Sequence, residues 1–328
     1  GMDDGILATA PDGRYLLLTD RTRHLLGNPA GGWEEGNIND GGPNYLLLRD
    51  ILRKAAATHA PVRGEIHVTI PEERVLQVFA TPLHAPREEG ALAVVSDVTR
   101  LRRLEQVRSE FVANVTHELK TPLTSIRGYV ELLKGGERDP QTTAQFYEII
   151  EIEAERLQAL IDDMLQLSEI EGNRDDPGTV QTVSLAEVAA ETAERLAPVA
   201  EKAGVAIQTD LDPTLTLRAS RLRLEQLFYN LMDNAVKYNK PGGEVRVSVR
   251  RERKFTVVTV ADTGIGIPEE HHDRIFERFY RVDKSRSRQL GGTGLGLSIV
   301  KHIVTLYNGD ISVASHPGQG TLFIVRFP

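Results

Sequence analysis

The sequence predicts a multidomain α+β protein, and three observations carry that reading. Residues 5–97 hold five apolar or alternating runs of strand length, separated by turn residues and short helical stretches. Residues 101–171 carry two long helical patterns split at Gly135-Gly136. From residue 184 onward helical and strand patterns interleave, with glycine-rich boxes at their junctions. At 328 residues the chain is too long for one ordinary domain, so two or three are expected.

Composition narrows the classes. The net charge of −8 argues against a nucleic-acid-binding face, so no direct nucleic-acid partner is expected. Cysteine is absent, which rules out disulfides and thiolate sites and fits a reducing compartment. No apolar run approaches the ~20 residues that span a bilayer, and no signal peptide is visible. The opening Gly1-Met2 reads as a scar ahead of a start or truncation point. A membrane segment upstream in a full protein is therefore an open expectation.

In order, GILATA and RYLLL around Pro11-Asp12-Gly13 read as a hairpin over 5–18. Residues 20–26 form a short helix stopped by Gly27. Residues 27–44, with six glycines, form a loop. NYLLLRDILRKAAA, 44–57, is helical, and GEIHVTI, RVLQVFA and ALAVVSD follow as strands, with 85–90 as the last turn. From Leu101 to Lys134 only Pro122 and Gly128 interrupt a helix roughly 50 Å long at 1.5 Å per residue. Its stripe of Leu101, Leu104, Phe111 and Val115 suits a two-chain coiled coil. Residues 137–140 turn into a second helix, 141–171, with Ile150, Leu157 and Met164 a heptad apart and Leu160 and Leu167 on the adjoining row. Two such helices cannot bury both faces alone, so a homodimeric four-helix bundle is expected.

EGNRDDPGTV, 171–180, is a polar linker. Ser184 with Glu187 makes a capping box for a helix to about Lys202. VAIQTDL and LTLRAS read as strands, 221–238 as helix, EVRVSVRRE and FTVVTVAD as a strand pair. Residues 267–292 read as short helical pieces, 293–307 as helix, and GDISVAS with GTLFIVRF as a closing hairpin. The expected boundaries are 1–96, 97–172 and 178–328.

The chemistry begins in FVANVTHELKTPLTSIRGY, residues 111–129. His117 is a potential nucleophile, Glu118 borders it about 100° around the helix, and Thr121 lies one turn on, over His117. That set offers an acceptor, a base and a hydroxyl. Pro122 removes one helical hydrogen bond and permits a kink. A lone His on an amphipathic helix would more often be plain surface.

Four further pieces decide otherwise. In NLMDNAVKY, 230–238, Asn230 and Asn234 share a helix face, and their amide oxygens can complete an octahedral Mg2+ shell. Lys237 can meet phosphate and Tyr238 can stack on a base. In DTGIGIP, 262–268, Asp262 is an acceptor suited to the exocyclic amine of adenine, and Gly264 and Gly266 allow close backbone approach. In ERFYR, 277–281, Phe279 and Tyr280 anchor a segment from which Arg281 can reach terminal phosphates. In GTGLGL, 292–297, Gly292, Gly294 and Gly296 open a helix whose amides favour phosphate. No Gly-Lys-Ser/Thr follows, and the box does not leave the first strand of a βαβ unit, so it is neither a Walker loop nor a dinucleotide fingerprint. The Ser/Thr/Tyr kinase set is also missing. His271, His272 and Asp273 read as an exposed cluster rather than a metal site, because adjacent side chains diverge on a helix.

The heptapeptide HELKTPL at 117–123 resembles the phosphoacceptor box of two-component sensor histidine kinases, without a departure. The four later pieces resemble that family's Asn box, two glycine boxes and intervening Phe box, in its order, and GQGT at 318–321 resembles its last glycine element. The segments around His117 and around 277–304 look closest to phosphate-regulon-type sensors. DGILATAPDGRYLLLTDRTRHLLG resembles the start of a PAS sensor domain, with Thr19 where many have Asn, and Asp97-Val-Thr99 resembles the junction into a signalling helix.

The resemblance implies a PAS-like α/β domain, a helical-hairpin dimerisation domain forming a four-helix bundle in the dimer, and an α/β-sandwich ATPase domain of Bergerat type. It implies ATP with Mg2+ held by Asn230 and Asn234, and adds Leu295 and Thr321 to the nucleotide set. It implies autophosphorylation of His117 with Glu118 as base, transfer to an Asp of a response-regulator receiver domain, and dephosphorylation of that regulator through Thr121. It places the chain as the cytoplasmic portion of a bacterial sensor anchored in the inner membrane. The rival readings are an ATP-binding dimeric scaffold without kinase activity, disfavoured by the intact His117, Glu118, Asn230, Asn234 and Asp262, and an ATPase clamp or chaperone, disfavoured by the acceptor hairpin.

Overall fold

The computed structural model describes residues 4–27, 36–70, 72–85, 88–136, 139–172, 180–283 and 292–328. The middle of the glycine-rich loop, the start of the 137–140 turn, most of the 171–180 linker and residues 284–291 lie outside that set. Packing divides the chain into two units, Gly1–Ala113 and Asn114–Pro328.

The first unit contains β1 (Gly5–Thr9), β2 (Tyr15–Leu18), α1 (Asp20–Leu26), a 3-10 turn (Ile38–Asp40), α2 (Pro43–Thr58), β3 (Val62–Val68), β4 (Arg74–Ala85) and β5 (Glu88–Asp97). The sheet runs β2-β1-β5-β4-β3, with every neighbour antiparallel. The hairpin forms where Asp12 accepts from the Arg14 amide at 3.0 Å. Thr19 has a local job: its hydroxyl oxygen caps α1 by accepting from the Thr22 amide, and Gly27 closes that helix at φ 83°. Leu7, Leu25, Leu48, Leu52, Ile66 and Leu76 close the core with α1 and α2 against one sheet face. The expected turn at 85–90 is shorter than the sequence reading had it. β4 and β5 keep pairing through Leu83–Gly90 and Ala85–Glu88. A ladder between two long strands continues on backbone bonds after the apolar pattern has ended.

α3 (Thr99–Lys134) starts where Asp97 accepts from the Thr99 amide at 3.0 Å and the Thr99 hydroxyl, and the Val75 amide in turn donates to that hydroxyl at 2.9 Å. The helix is unbroken through Pro122. α4 (Pro140–Gly172) runs back beside it, with Tyr129 and Phe146 rings 5.2 Å apart.

The rest of the second unit holds β6 (Val180–Ser184), α5 (Leu185–Ala203), β7 (Ala206–Leu211), β8 (Thr216–Ser220), α6 (Arg221–Lys237), β9 (Glu244–Glu252), β10 (Phe255–Asp262), α7 (Gly296–Leu306), β11 (Asp310–His316) and β12 (Gly320–Phe327). A mixed sheet of order β11-β12-β10-β9-β7, parallel only at β7–β9, lies under α5, α6 and α7. Val245, Val247 and Val249 of β9 alternate into that layer, with Arg246 exposed and Ser248 half-buried between them.

Two expectations change here. The sequence pattern gives a linker to residue 180 and no element before the Ser184 cap; β6 exists there because it pairs with β8 in a separate two-stranded sheet. The last helix begins at Gly296 rather than 293, since Gly294 sits at φ 75° and cannot belong to a right-handed helix.

Candidate active site

The cleft forms where α6, the loop after β10 and the start of α7 meet. Its volume is about 290 Å³, and its walls include Asn230, Asn234, Lys237, Tyr238, Asp262, Gly266, Arg281, Gly292, Gly294, Gly296 and Thr321. Those residues span all four boxes and the final hairpin, so the topology brings together what the sequence spaces over ninety residues.

Each side chain is placed by local chemistry. Asn230 donates its amide N–H to the Gln226 carbonyl at 2.8 Å, which leaves its side-chain oxygen toward Gly296. A Cβ at Gly296 would stand 2.5 Å from that oxygen, so a larger residue would fill the space the amide needs. Lys237 meets Asp233 at 2.7 Å. Burial alone would lower its pKa, but the Asp233 carboxylate outweighs it and holds the ammonium above its usual value. Asp262 accepts from the Gly264 amide at 2.8 Å and the Thr321 amide at 3.2 Å. Burial pushes its carboxyl up, against those two hydrogen bonds. The Phe279 amide donates to the Gly294 carbonyl at 2.8 Å, and Gly294, at φ 75°, leaves no room for a Cβ against Phe279.

Two members of the expected nucleotide set do not line the cleft. Leu295 is fully buried as the residue ahead of α7, so its side chain belongs to the core. Gly264 lies behind the wall, packed under the Tyr238 carbonyl, where it orients Asp262.

His117, Glu118 and Thr121 lie outside the cleft, on α3. The His117 side chain is 73% exposed. Thr121 donates to the His117 carbonyl at 3.2 Å rather than to the ring. Glu118 Oε1 is 4.0 Å from His117 Nδ1, beyond hydrogen-bond reach, while Oε2 meets Arg281 at 3.2 Å and Arg156 at 3.5 Å. Arg281 is therefore shared between the cleft wall and the acceptor helix.

Several participants escaped the sequence reading. Arg156 stands on α4 against Glu118 and Glu153. Asp163, also on α4, lines the cleft and accepts from the Thr293 hydroxyl at 2.5 Å; burial pushes its carboxyl up, against Thr293 and Lys237. A signal existed: Asp163 sits on one helical row between Leu160 and Leu167, and both leucines are buried. His271 and His272 are not an exposed cluster. His271 Nδ1 is 2.6 Å from the Tyr280 hydroxyl, and His272 Nε2 is 3.1 Å from the Ile267 carbonyl. Glu269–His271 form a short 3-10 helix, and at its end the two rings face different partners.

The cleft size suits a small molecule. The neutral amide oxygens of Asn230 and Asn234, one turn apart, fit the hard-oxygen donor set of Mg2+.

Comparisons with known proteins agree with this geometry. Family models match in three stretches: a PAS fold over residues 1–103, a His Kinase A phospho-acceptor domain over 107–173, and a histidine kinase-, DNA gyrase B- and HSP90-like ATPase over 219–328. The chain is 37% identical to the phosphate regulon sensor protein PhoR of Pseudomonas aeruginosa over 291 residues, covering 88% of this chain and 65% of PhoR. It is 33% identical to the sensor histidine kinase WalK of Bacillus subtilis, over 100% of this chain and 54% of WalK. It is also 33% identical to the sensor protein kinase WalK of Staphylococcus aureus, over 100% of this chain and 79% of that protein. The chain thus spans from about half to four-fifths of these relatives. Full-length ShkA in complex with AMPPNP superposes at a TM-score of 0.50, with 28% identity over 67% of this chain and 45% of ShkA. The histidine kinase ThkA, in a complex with the response regulator TrrA, shares the fold at a TM-score of 0.54, with 23% identity over 99% of this chain and 95% of ThkA. With an acceptor helix, an ATPase-type cleft and these relatives together, the chain belongs to the two-component sensor histidine kinases.

Proposed function

We propose that this chain is an ATP-dependent protein-histidine kinase that phosphorylates its own His117. The observation that carries the reading is Arg281, which lines the cleft and also holds Glu118, the neighbour of His117. Asp262 takes the adenine amine, Tyr238 packs on the base, and Lys237 and Arg281 meet phosphate oxygens. Asn230 and Asn234 would hold Mg2+, which neutralises phosphate charge when bound. His117 lies outside the cleft, so the acceptor helix must shift toward it for the reaction. An imidazole nitrogen then forms the N–P bond as the γ-phosphorus loses its bridging oxygen to ADP, and the ring proton passes to Glu118. Positioning supplies most of the rate in such a transfer.

The same reading divides the chain at 1–96, 97–172 and 178–328. It takes the exposed Leu123, Ile152 and Leu165 as apolar surface that a second copy covers in a four-helix bundle, and the exposed Leu101 and Leu104 as part of a two-chain coiled-coil seam. It passes the phosphoryl group to an Asp of a receiver domain, and assigns Thr121 to the reverse hydrolysis. No described helix is long and apolar enough to cross a membrane.

The test is incubation with γ-labelled Mg-ATP, with His117→Gln alongside. Acid-labile, base-stable label on the parent and none on the variant is expected. A parent that binds ATP but takes no label refutes the kinase assignment and favours a relay scaffold.

A further inference from the structure

The wall of the cleft between Ile267 and Arg281 is closed on itself by two adjacent imidazoles. His272 Nε2 reaches back to the Ile267 carbonyl at 3.1 Å, and the Ile267 amide is itself tied to the Ser315 hydroxyl at 2.8 Å. His271 reaches forward, its Nδ1 2.6 Å from the Tyr280 hydroxyl. Ile267 and Tyr280 both line the cleft, whereas neither imidazole does. Glu270 stands 3.4 Å from His271 Nε2, which favours the tautomer carrying its proton there. Nδ1 is then an acceptor, and the Tyr280 proton is committed to it. On its other side the Tyr280 ring carries the Arg274 guanidinium, 4.3 Å from its centroid, and Arg274 in turn faces Glu277.

We propose that His271 is a positioning residue for nucleotide binding: through Tyr280 it sets the wall next to Arg281 without touching the ligand. Tyr280 precedes Arg281 directly, so a phenol free to rotate would loosen both the cleft and the arginine that meets Glu118. Neighbouring histidines invite a metal reading, but their rings point to different protein partners 2.6 and 3.1 Å away. The proposal rests on the cleft being the nucleotide site.

The experiment measures affinity for a fluorescent ATP analogue, the KM for ATP and kcat of autophosphorylation for the parent, His271→Ala, His271→Asn, Tyr280→Phe and the His271→Ala/Tyr280→Phe double variant. Losing one hydrogen bond of this kind predicts an ATP KM about five- to tenfold higher in His271→Ala, with kcat within about twofold. Asn can place an acceptor oxygen near the Nδ1 position, so His271→Asn should return KM close to the parent. Tyr280→Phe should match His271→Ala, and the double variant should be no worse than either. A KM within twofold of the parent in both single variants, purely additive effects, or a loss confined to kcat overturns the proposal. If His271→Ala fails to fold, Tyr280→Phe and His271→Asn decide alone. A parent that binds no nucleotide sinks the cleft assignment together with this proposal; a parent that binds with unaffected variants sinks only this one.

Discussion

Two tyrosines show how differently the two units treat their interiors. Tyr15 is 8% exposed, at the edge of the N-terminal core, and its hydroxyl has no hydrogen-bond partner among the described residues. Burial first, then Tyr45 and Asp40, push its phenol up to about 12. Tyr280 stands in the cleft wall, and its hydroxyl is tied to His271. A core held by Leu7, Leu48, Leu52 and Leu76 fixes a phenol by packing and tolerates its unmet hydroxyl. A cleft has packing on one side only, so its side chains must be aimed by hydrogen bonds. The contrast separates what holds the fold from what equips the site.

The largest effect that would sharpen it is on the core. Leu52→Ala should cost about 2–5 kcal/mol by leaving a cavity between α2 and the sheet. Hydrogen exchange of β4 and β5 amides would report it, while ATP-analogue affinity should barely change. A matching loss of affinity would show that the two regions are not separable.

The next effect lies in the cleft. Asp262→Ala should weaken binding of the ATP analogue about 100-fold, because buried recognition of a donor fails when its acceptor is missing. Thermal unfolding should move only a little, since losing a carboxylate that burial disfavours is offset by leaving the Gly264 and Thr321 amides without that acceptor.

A smaller, graded effect comes from pH. The Asp262 carboxyl is raised above its ordinary 3.8, so the folded chain takes up this proton before the unfolded chain does. Its contribution to stability is then fully present below the ordinary value and lost as pH rises through the raised one. Nucleotide binding runs the other way. On acidification, affinity should fall while an ordinary Asp is still ionised, and Asp262→Asn should flatten that limb in a titration of affinity against pH. An identical limb in the variant would assign it to another group.

The smallest expected effect has the opposite sign from the first. Tyr15→Phe removes from a packed site a hydroxyl without a partner among the described residues and should be neutral or stabilising by up to about 1 kcal/mol. Tyr280→Phe, the same change in the cleft wall, should weaken nucleotide binding. Equal effects at both sites would break the comparison.

Much of this molecule was legible because its signals are local. Ser184 caps α5 by accepting from the Glu187 amide at 3.3 Å, as the spacing of the two residues foretold. The boxes at 230–238, 262–268 and 292–297 could be read because an amide pair one turn apart, or a glycine that permits close approach, has a chemical meaning within a few residues. Failures came where a partner supplies the reason. β6 depends on β8, the ends of β4 and β5 depend on each other, and Leu295 is buried by the tertiary fold.

The sequence by itself determined the element types, the three-part order, the acceptor motif and the composition of the nucleotide boxes, because periodicity, caps and turn chemistry act over one or two helical turns. Only the tertiary structure decided which side chains meet. Glu118 finds Arg281 across 163 residues, and Asp163 finds Thr293 across 130. The physical reason is that a charged or hydroxyl group shows in sequence only that it needs a partner, while the packing of helices and sheet selects which one lies within hydrogen-bond distance.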